Sequence, residues 1–314
     1  MATDIREHTV PSSLDGARLD KAAVVLESGT SRAKVKRAID MGAVRVNGRR
    51  SPKGAVVATG DRITIDVAQL ESADAPALPT PEAPLVVRFE SSSVLVVDKP
   101  AGQPSAPLRA GERGTLANAL VGKYPELAGI GYAPREPGLL HRLDTDTTGL
   151  VIVARTPEVF EALRGALKAE QIEKEYLLVC AEEGLPDEGS IEFPIANHPK
   201  DQRRVYPCVH PRDVMRYEPR PAHTRYRVEK RVGKWALVRA EAKRALRHQI
   251  RAHFASIEHP LAGDTLYGGA EIRALGRHAL HAARVKYSGE EGLAFDVESP
   301  LPQEMAVLLQ SAES

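Results

Sequence analysis

The residues best suited to chemistry stand together in the run Leu139-Leu140-His141-Arg142-Leu143-Asp144-Thr145-Asp146-Thr147-Thr148-Gly149-Leu150. Two carboxylates in a threonine-rich turn suggest work on a cation or a phosphoryl group. Read as a calcium loop, Asp144, Asp146 and Gly149 fit the first, third and sixth positions. The twelfth position should then be a bidentate glutamate, and it is Arg155. A cation where a carboxylate is required removes that reading. Read as a phosphotransfer string, Asp144-Thr145-Asp146-Thr147-Thr148 puts a nucleophilic aspartate first. Such an aspartate should end a buried apolar strand near the start of its domain. His141 and Arg142 interrupt that approach, and roughly sixty residues of apparent domain precede it. A phosphatase remains a rival that predicts magnesium-dependent release of phosphate.

The same run resembles, without a gap, the His-Arg-Leu-Asp signature of the RluA-type pseudouridine synthases. The other motifs of that family follow in order. Val96-Val97-Asp98-Lys99-Pro100-Ala101-Gly102 resembles its first strand and turn, and Thr115 to Leu120 the next helix. Lys174-Glu175-Tyr176 is similar to its Lys-x-Tyr strand. His248-Gln249-Ile250-Arg251, His259 to Asp264 and Leu266-Tyr267-Gly268 resemble its third signature. The resemblance runs from about Leu85 to the C-terminus. One departure stands out: Arg244-Ala245-Leu246-Arg247 occupies the place of a Thr-Gly-Arg-Thr-like run.

The resemblance implies isomerisation of uridine in RNA. That reaction breaks an N-glycosidic bond, turns the base and forms a C–C bond to the same sugar. No redox change or net hydrolysis occurs, so no cofactor or metal is expected. The sequence agrees, having no G-x-G-x-x-G, no P-loop and no clustered metal ligands. The resemblance makes Asp144 the catalytic carboxylate, as nucleophile or as agent of elimination at the ribose. A buried carboxylate needs a positive partner to stay ionised, and Arg251 is the implied one. Tyr176 would stack on the uracil and stand near the proton that leaves it. Arg142 would fill the space of the flipped base. His141 would face the RNA or order the loop, and Lys99 and Lys174 would hold phosphates or lie in solvent.

The elements that must position these groups are partly legible. Leu85–Phe89, Val94–Val97, Leu150–Ala154, Tyr176–Val179 and Trp235–Val238 are strand-like runs. Thr156-Pro157 opens a helix with Phe160, Leu163 and Leu167 on one face. Ile250, Phe254 and Ile257 mark the buried stripe of another. The expectation is α+β, with a mixed, mostly antiparallel sheet and the pseudouridine synthase fold over residues 85–314.

Ahead of it, Leu19, Ala22, Ala23 and Leu26 fall at i, i+3, i+4 and i+7. Ser31 is placed to cap a helix over Arg32–Met41 that ends at Gly42. Val44-Arg45-Val46 runs into Asn47-Gly48, a hairpin turn, and Arg62–Ile65 alternates as a strand. Between Arg18 and Asp66 stand eleven Lys/Arg against five Asp/Glu, a local excess of the sign that phosphate requires. Residues 1–66 therefore resemble the S4 RNA-binding domain, a small α/β module. By that resemblance its RNA surface comprises Ser31, Arg32, Lys36, Arg37, Asn47 and Lys53. Residues 67–84, rich in Ala and Pro, read as an extended linker.

At 314 residues the chain suits two domains, and its net charge of +1 decides nothing about partners. Cys180 and Cys208 are too sparse for a disulfide framework or a cysteine zinc site. No apolar run has spanning length, and the first residues lack a secretory h-region. A cytoplasmic monomer acting on RNA is expected, ribosomal RNA before transfer RNA.

Overall fold

The computed structural model describes residues 4–72 and 75–312. It divides into two compact units. The first comprises Met1–Leu78, Pro107–Arg113 and Ala133–Arg135; the second comprises Pro79–Ala106, Gly114–Tyr132 and Glu136–Ser314.

In the first unit the order is β1 (Ile5–Thr9), α1 (Leu19–Leu26), α2 (Arg32–Met41), β2 (Val44–Val46), β3 (Arg49–Arg50), β4 (Arg62–Asp66) and α3 (Val67–Ser72). Its strands form an antiparallel sheet in the order β1-β4-β2-β3. Leu19, Ala22 and Ala23 of α1 and Val35, Ala38 and Ile39 of α2 bury their faces against Val44, Ile63 and Ile65 of the sheet. The Ser31 hydroxyl caps α2 by accepting from the Lys34 amide at 3.1 Å. Asn47 and Gly48 both take positive φ, 48° and 76°, as a primed hairpin turn demands.

One expectation here is corrected. The stretch read as linker begins as helix α3, and its Leu70, 1% exposed, lies in the core of this unit. The Asp66 carboxylate starts that helix by accepting from the Gln69 amide. The helix is too short to show apolar periodicity, and its signal is a cap at the end of a strand. β1 also escaped the sequence reading, since Ile5-Arg6-Glu7-His8-Thr9 carries little apolar alternation.

The second unit follows β5 (Val86–Glu90), β6 (Val94–Lys99), α4 (Leu116–Lys123), β7 (Thr148–Ala154), α5 (Pro157–Lys168) and β8 (Glu173–Ala181). It continues through β9 (Glu188–Ile191), β10 (Ile195–Asn197), β11 (Val205–Pro207), α6 (Pro211–Tyr217), β12 (Thr224–Val232) and β13 (Trp235–Glu241). It ends with α7 (Gln249–Ser256), β14 (Leu280–Tyr287), β15 (Phe295–Glu298) and α8 (Gln303–Gln310). Among the described residues the main sheet has nine strands, ordered β5-β6-β7-β14-β8-β13-β12-β9, with β15 on β14. It is antiparallel except where β7 meets β14. This is the α+β, mostly antiparallel architecture expected from the strand-like runs.

Two packing features position the site. First, α7 lies on the sheet, with Ile250 and Phe254 in one core with Tyr176, Leu178 and Tyr226. Second, β7 and β14 approach closely at Gly149, which pairs with Ala282. A Cβ at Gly149 would stand 2.2 Å from the Ala282 carbonyl oxygen, and its φ is +112°. Only glycine permits both.

Candidate active site

Asp144 sits in the turn that precedes β7, where the Thr147 amide donates to its backbone carbonyl at 3.1 Å. Buried cations and one hydroxyl hold this turn by its carbonyl oxygens. Lys99, at the end of β6 and 0% exposed, donates at 2.8 Å each to the carbonyls of Pro100, Gln103 and Thr145. Arg277, also buried, reaches the Asp146 carbonyl at 3.3 Å. Ser105 donates to the Leu143 carbonyl and accepts from its amide. Loop backbone needs such partners when it leaves regular structure away from water. The outcome is a turn of fixed shape with its catalytic candidate pointing out.

The Asp144 side chain is 22% exposed, and its Oδ2 accepts from Arg251 Nη1 at 3.0 Å. Arg251, on α7, is itself held by Asp264: Nε and Nη2 grip the two carboxylate oxygens at 2.7 and 2.8 Å. That fork is the strong, orienting form of the arginine–carboxylate pair. Asp264 is buried, with 1% of its side chain exposed. Burial would lower the Arg251 pKa, but Asp264 and then Asp144 more than offset it, so it rises. One guanidinium thus serves a buried anchoring carboxylate and a partly open reactive one.

Tyr176, on β8, is 4% exposed. Burial, and behind it the Asp144 carboxylate, raise its pKa above that of a free phenol. The ring therefore carries a protonated hydroxyl in the field of Asp144. On the other side, His248 Nε2 lies 3.6 Å from Asp144 Oδ2. Its Nδ1 meets the Tyr267 hydroxyl at 3.0 Å, and that hydroxyl accepts from the Val205 amide at 2.8 Å. Burial lowers the His248 pKa against the pull of Asp144.

The sequence-derived candidates separate into groups. Asp144, Arg251 and Tyr176 come together in the second unit. Arg142 stands nearby, 60% exposed, paired with Glu136 at 2.9 Å. His141 is turned inward: its Nε2 accepts from the Ile152 amide at 3.2 Å. Burial and then Lys174 push its pKa down to about 3, so it is neutral and keeps its proton on Nδ1. Lys99 and Lys174 are corrected outright. Both are buried, at 0% and 4% exposure, and neither reaches a phosphate in solvent. Burial lowers each ammonium to about 8, with Asp146 and Asp144 holding Lys99 up.

The remaining candidates belong to the first unit. Ser31 caps its helix and Asn47 is bonded to Asp61 and Arg62. Arg32 and Lys36 lie 2.9 and 3.9 Å from Asp20, which is 0% exposed; Lys53 lies 3.6 Å from Asp40. Burial raises the Asp20 pKa, yet Arg18 and Arg32 outweigh it and hold it low. Arg37 shares α2 with Arg32 and Lys36.

Residues 93–256 fit the family model described as RNA pseudouridylate synthase. The chain is 35% identical to ribosomal large subunit pseudouridine synthase D of Yersinia pestis, over 98% of this chain and 94% of that one. The chain belongs to the RNA pseudouridylate synthase family. It is accordingly an RNA pseudouridine synthase, an isomerase. The protein of the same name from Nitrosomonas europaea is also 35% identical, over 97% of this chain and 87% of that one. In fold it resembles human RNA pseudouridylate synthase domain containing 4 (TM-score 0.55, 20% identity, 72% of this chain and 92% of that one). Human RNA pseudouridylate synthase domain containing 1 is comparable, at TM-score 0.54 and 20% identity, over 74% and 96%.

For this pseudouridine synthase the sequence reading missed Asp264, Lys99 in its real role, and Arg277. Asp264 lay in a quoted motif, but nothing local ties it to Arg251. Among the described residues, no group of three or more His, Cys, Asp or Glu is arranged to hold a metal ion, and no helix is long and apolar enough to cross a membrane.

Proposed function

We infer that the chain converts uridines of ribosomal RNA to pseudouridine, with Asp144 as the group that acts at the ribose. One observation carries this: a partly open carboxylate gripped by a guanidinium that a second, buried carboxylate locks in place. The pairing aims the Asp144 carboxylate and keeps a fixed cation beside it when a base and sugar displace water around it. Both attack at the sugar and elimination begin from a carboxylate held in this position.

The target nucleotide leaves its stack to reach it, and Arg142 fills the gap, a role that the exposure of its guanidinium supports. As the N1–C1′ bond breaks, electrons pass to the uracil. The base turns, C5 bonds to C1′, and the C5 proton is lost while N1 gains one, so atoms and charge balance. Tyr176 stays protonated, so it acts by stacking and by passing a proton while giving up its own, rather than as a ready base. His141 orders the loop and contributes no charge. The ribosomal substrate is supported by the names of the full-length relatives. The first unit, with its basic α2 and hairpin, supplies S4-like affinity, and residues 1–66 serve as that RNA-binding module ahead of the catalytic one.

The test is Asp144→Ala incubated with ribosomal RNA from a deletion strain, followed by carbodiimide mapping. Isomerisation should vanish while RNA affinity stays within about threefold, because binding rests on distributed phosphate contacts. Retained turnover would remove Asp144 from the reaction. Magnesium-dependent phosphate release from small esters would revive the phosphatase reading.

A further inference from the structure

The β10–β11 hairpin carries Lys200, Arg203 and Arg204 at its turn, and it is wired directly to the site. Arg247 Nη2 donates to the carbonyls of Gln202 and Arg204 at 3.1 and 2.8 Å, closing the hairpin from the segment that leads into α7. The Val205 amide adds the bond to Tyr267 described above. Arg247 is the last residue of the run Arg244-Ala245-Leu246-Arg247 that departs from the resembled signature, and a threonine side chain there would be too short to span both carbonyls.

The charges on this hairpin are not equivalent. Arg203 is compensated, since Asp201 takes its guanidinium through both carboxylate oxygens at 3.1 and 3.0 Å. Arg204 is different. Its guanidinium lies 5.4 Å from the centre of the Tyr267 ring, and Arg251 lies 5.2 Å from that same centre. Its Nε is buried without a hydrogen-bond partner, and among the described residues no carboxylate lies within ion-pair distance of it. Two guanidiniums share one aromatic ring, yet only Arg251 is neutralised. A guanidinium left without a counter-charge on a half-buried residue calls for an anion from outside the protein.

We propose that Arg204 binds a phosphodiester of the RNA strand next to the flipped nucleotide, and that Arg247 is the positioning residue that holds the hairpin for it. The assignment rests on the RNA-isomerase reading and deepens it. The planar fork suits a phosphate, which accepts two parallel N–H bonds. Preordering by Arg247 removes the entropy cost of fixing a loop at the moment of binding. The chain Arg204–Tyr267–His248–Asp144 sets the phosphate and the reactive carboxylate on one rigid frame.

The experiment uses the full chain and the uridine-bearing RNA fragment mapped above, with single phosphodiesters near the target replaced one at a time by neutral methylphosphonates. Binding is measured on Asp144→Ala enzyme and turnover on otherwise wild-type enzyme. Arg204→Gln should raise Kd and KM about tenfold, as loss of one charge-assisted contact does, with kcat changed less than about twofold. The slope of log affinity against log salt should fall by about 0.7 to 0.9. One neutralised linkage should cost wild type the same and cost Arg204→Gln nothing further. Arg247→Ala should raise KM similarly and Arg247→Lys should recover most of it. A merely structural role would not track one linkage.

Wild-type affinity and salt slope in Arg204→Gln would overturn the proposal. So would a loss in Arg204→Gln that multiplies with every neutralised linkage. If wild type makes no pseudouridine, the isomerase reading fails instead, and the binding arm still decides whether Arg204 takes a phosphate.

Discussion

Replacing Arg251 by Met separates what the guanidinium does for the fold from what it does for the reaction. The Asp264 carboxylate, 1% exposed, would lose both charge-assisted bonds and remain buried. Breaking a buried pair from one side costs about 3–5 kcal/mol, because the orphaned charge has neither water nor partner. For a unit of this size each kcal/mol shifts Tm by about 2–4 °C, so a fall on the order of 10 °C is expected. Asp144, at 22% exposure, keeps access to water and contributes little to that loss. Adding Asp264→Leu removes the orphan, and the Arg251→Met/Asp264→Leu double variant should regain most of the stability. It should regain none of the turnover, since Asp144 still lacks its cation. Thermal melts by circular dichroism give the first quantity and carbodiimide mapping of ribosomal RNA the second. An unchanged Tm in Arg251→Met, or turnover restored in the double variant, would refute the reasoning.

Three further outcomes test the supports of the site. Lys99→Met keeps the volume but strands the carbonyls of Pro100, Gln103 and Thr145; a loss of about 3 kcal/mol in urea titration is expected, with a lower kcat as the Asp144 turn loosens. Gly149→Ala brings a methyl group against the Ala282 carbonyl at a positive φ, and at least about 3 kcal/mol should be lost in the same titration. His253 is fully buried between the Thr224 hydroxyl and the Phe193 carbonyl, which fixes its proton on Nε2. Burial lowers its pKa from 6.5 to about 4. Its contribution is therefore whole above pH 6.5 and lost as pH falls towards 4, by about 3 kcal/mol at most. His253→Gln should flatten the acid limb of stability against pH; an unchanged limb would place its cause elsewhere.

The sequence by itself determined the local features. Ser31 caps its helix, Asn47-Gly48 turns its hairpin, and Ile250 and Phe254 face the core, because capping, positive φ and apolar periodicity act within a few residues. The ordered motifs around Asp144, Tyr176 and Arg251 likewise pointed to one chemistry. Tertiary structure decided what each charge is for. Lys99 and Lys174 read as surface cations, since lysine in a strand end carries no mark of burial, yet both are enclosed. Arg251 meets Asp144 across 107 residues of chain and Asp264 across 13, and no spacing rule specifies either pairing. A side chain's charge is written in the sequence, but its solvation and its partner are set by where the sheet and α7 bring distant segments together. Those two quantities decide whether a carboxylate is reactive, anchored or merely wet.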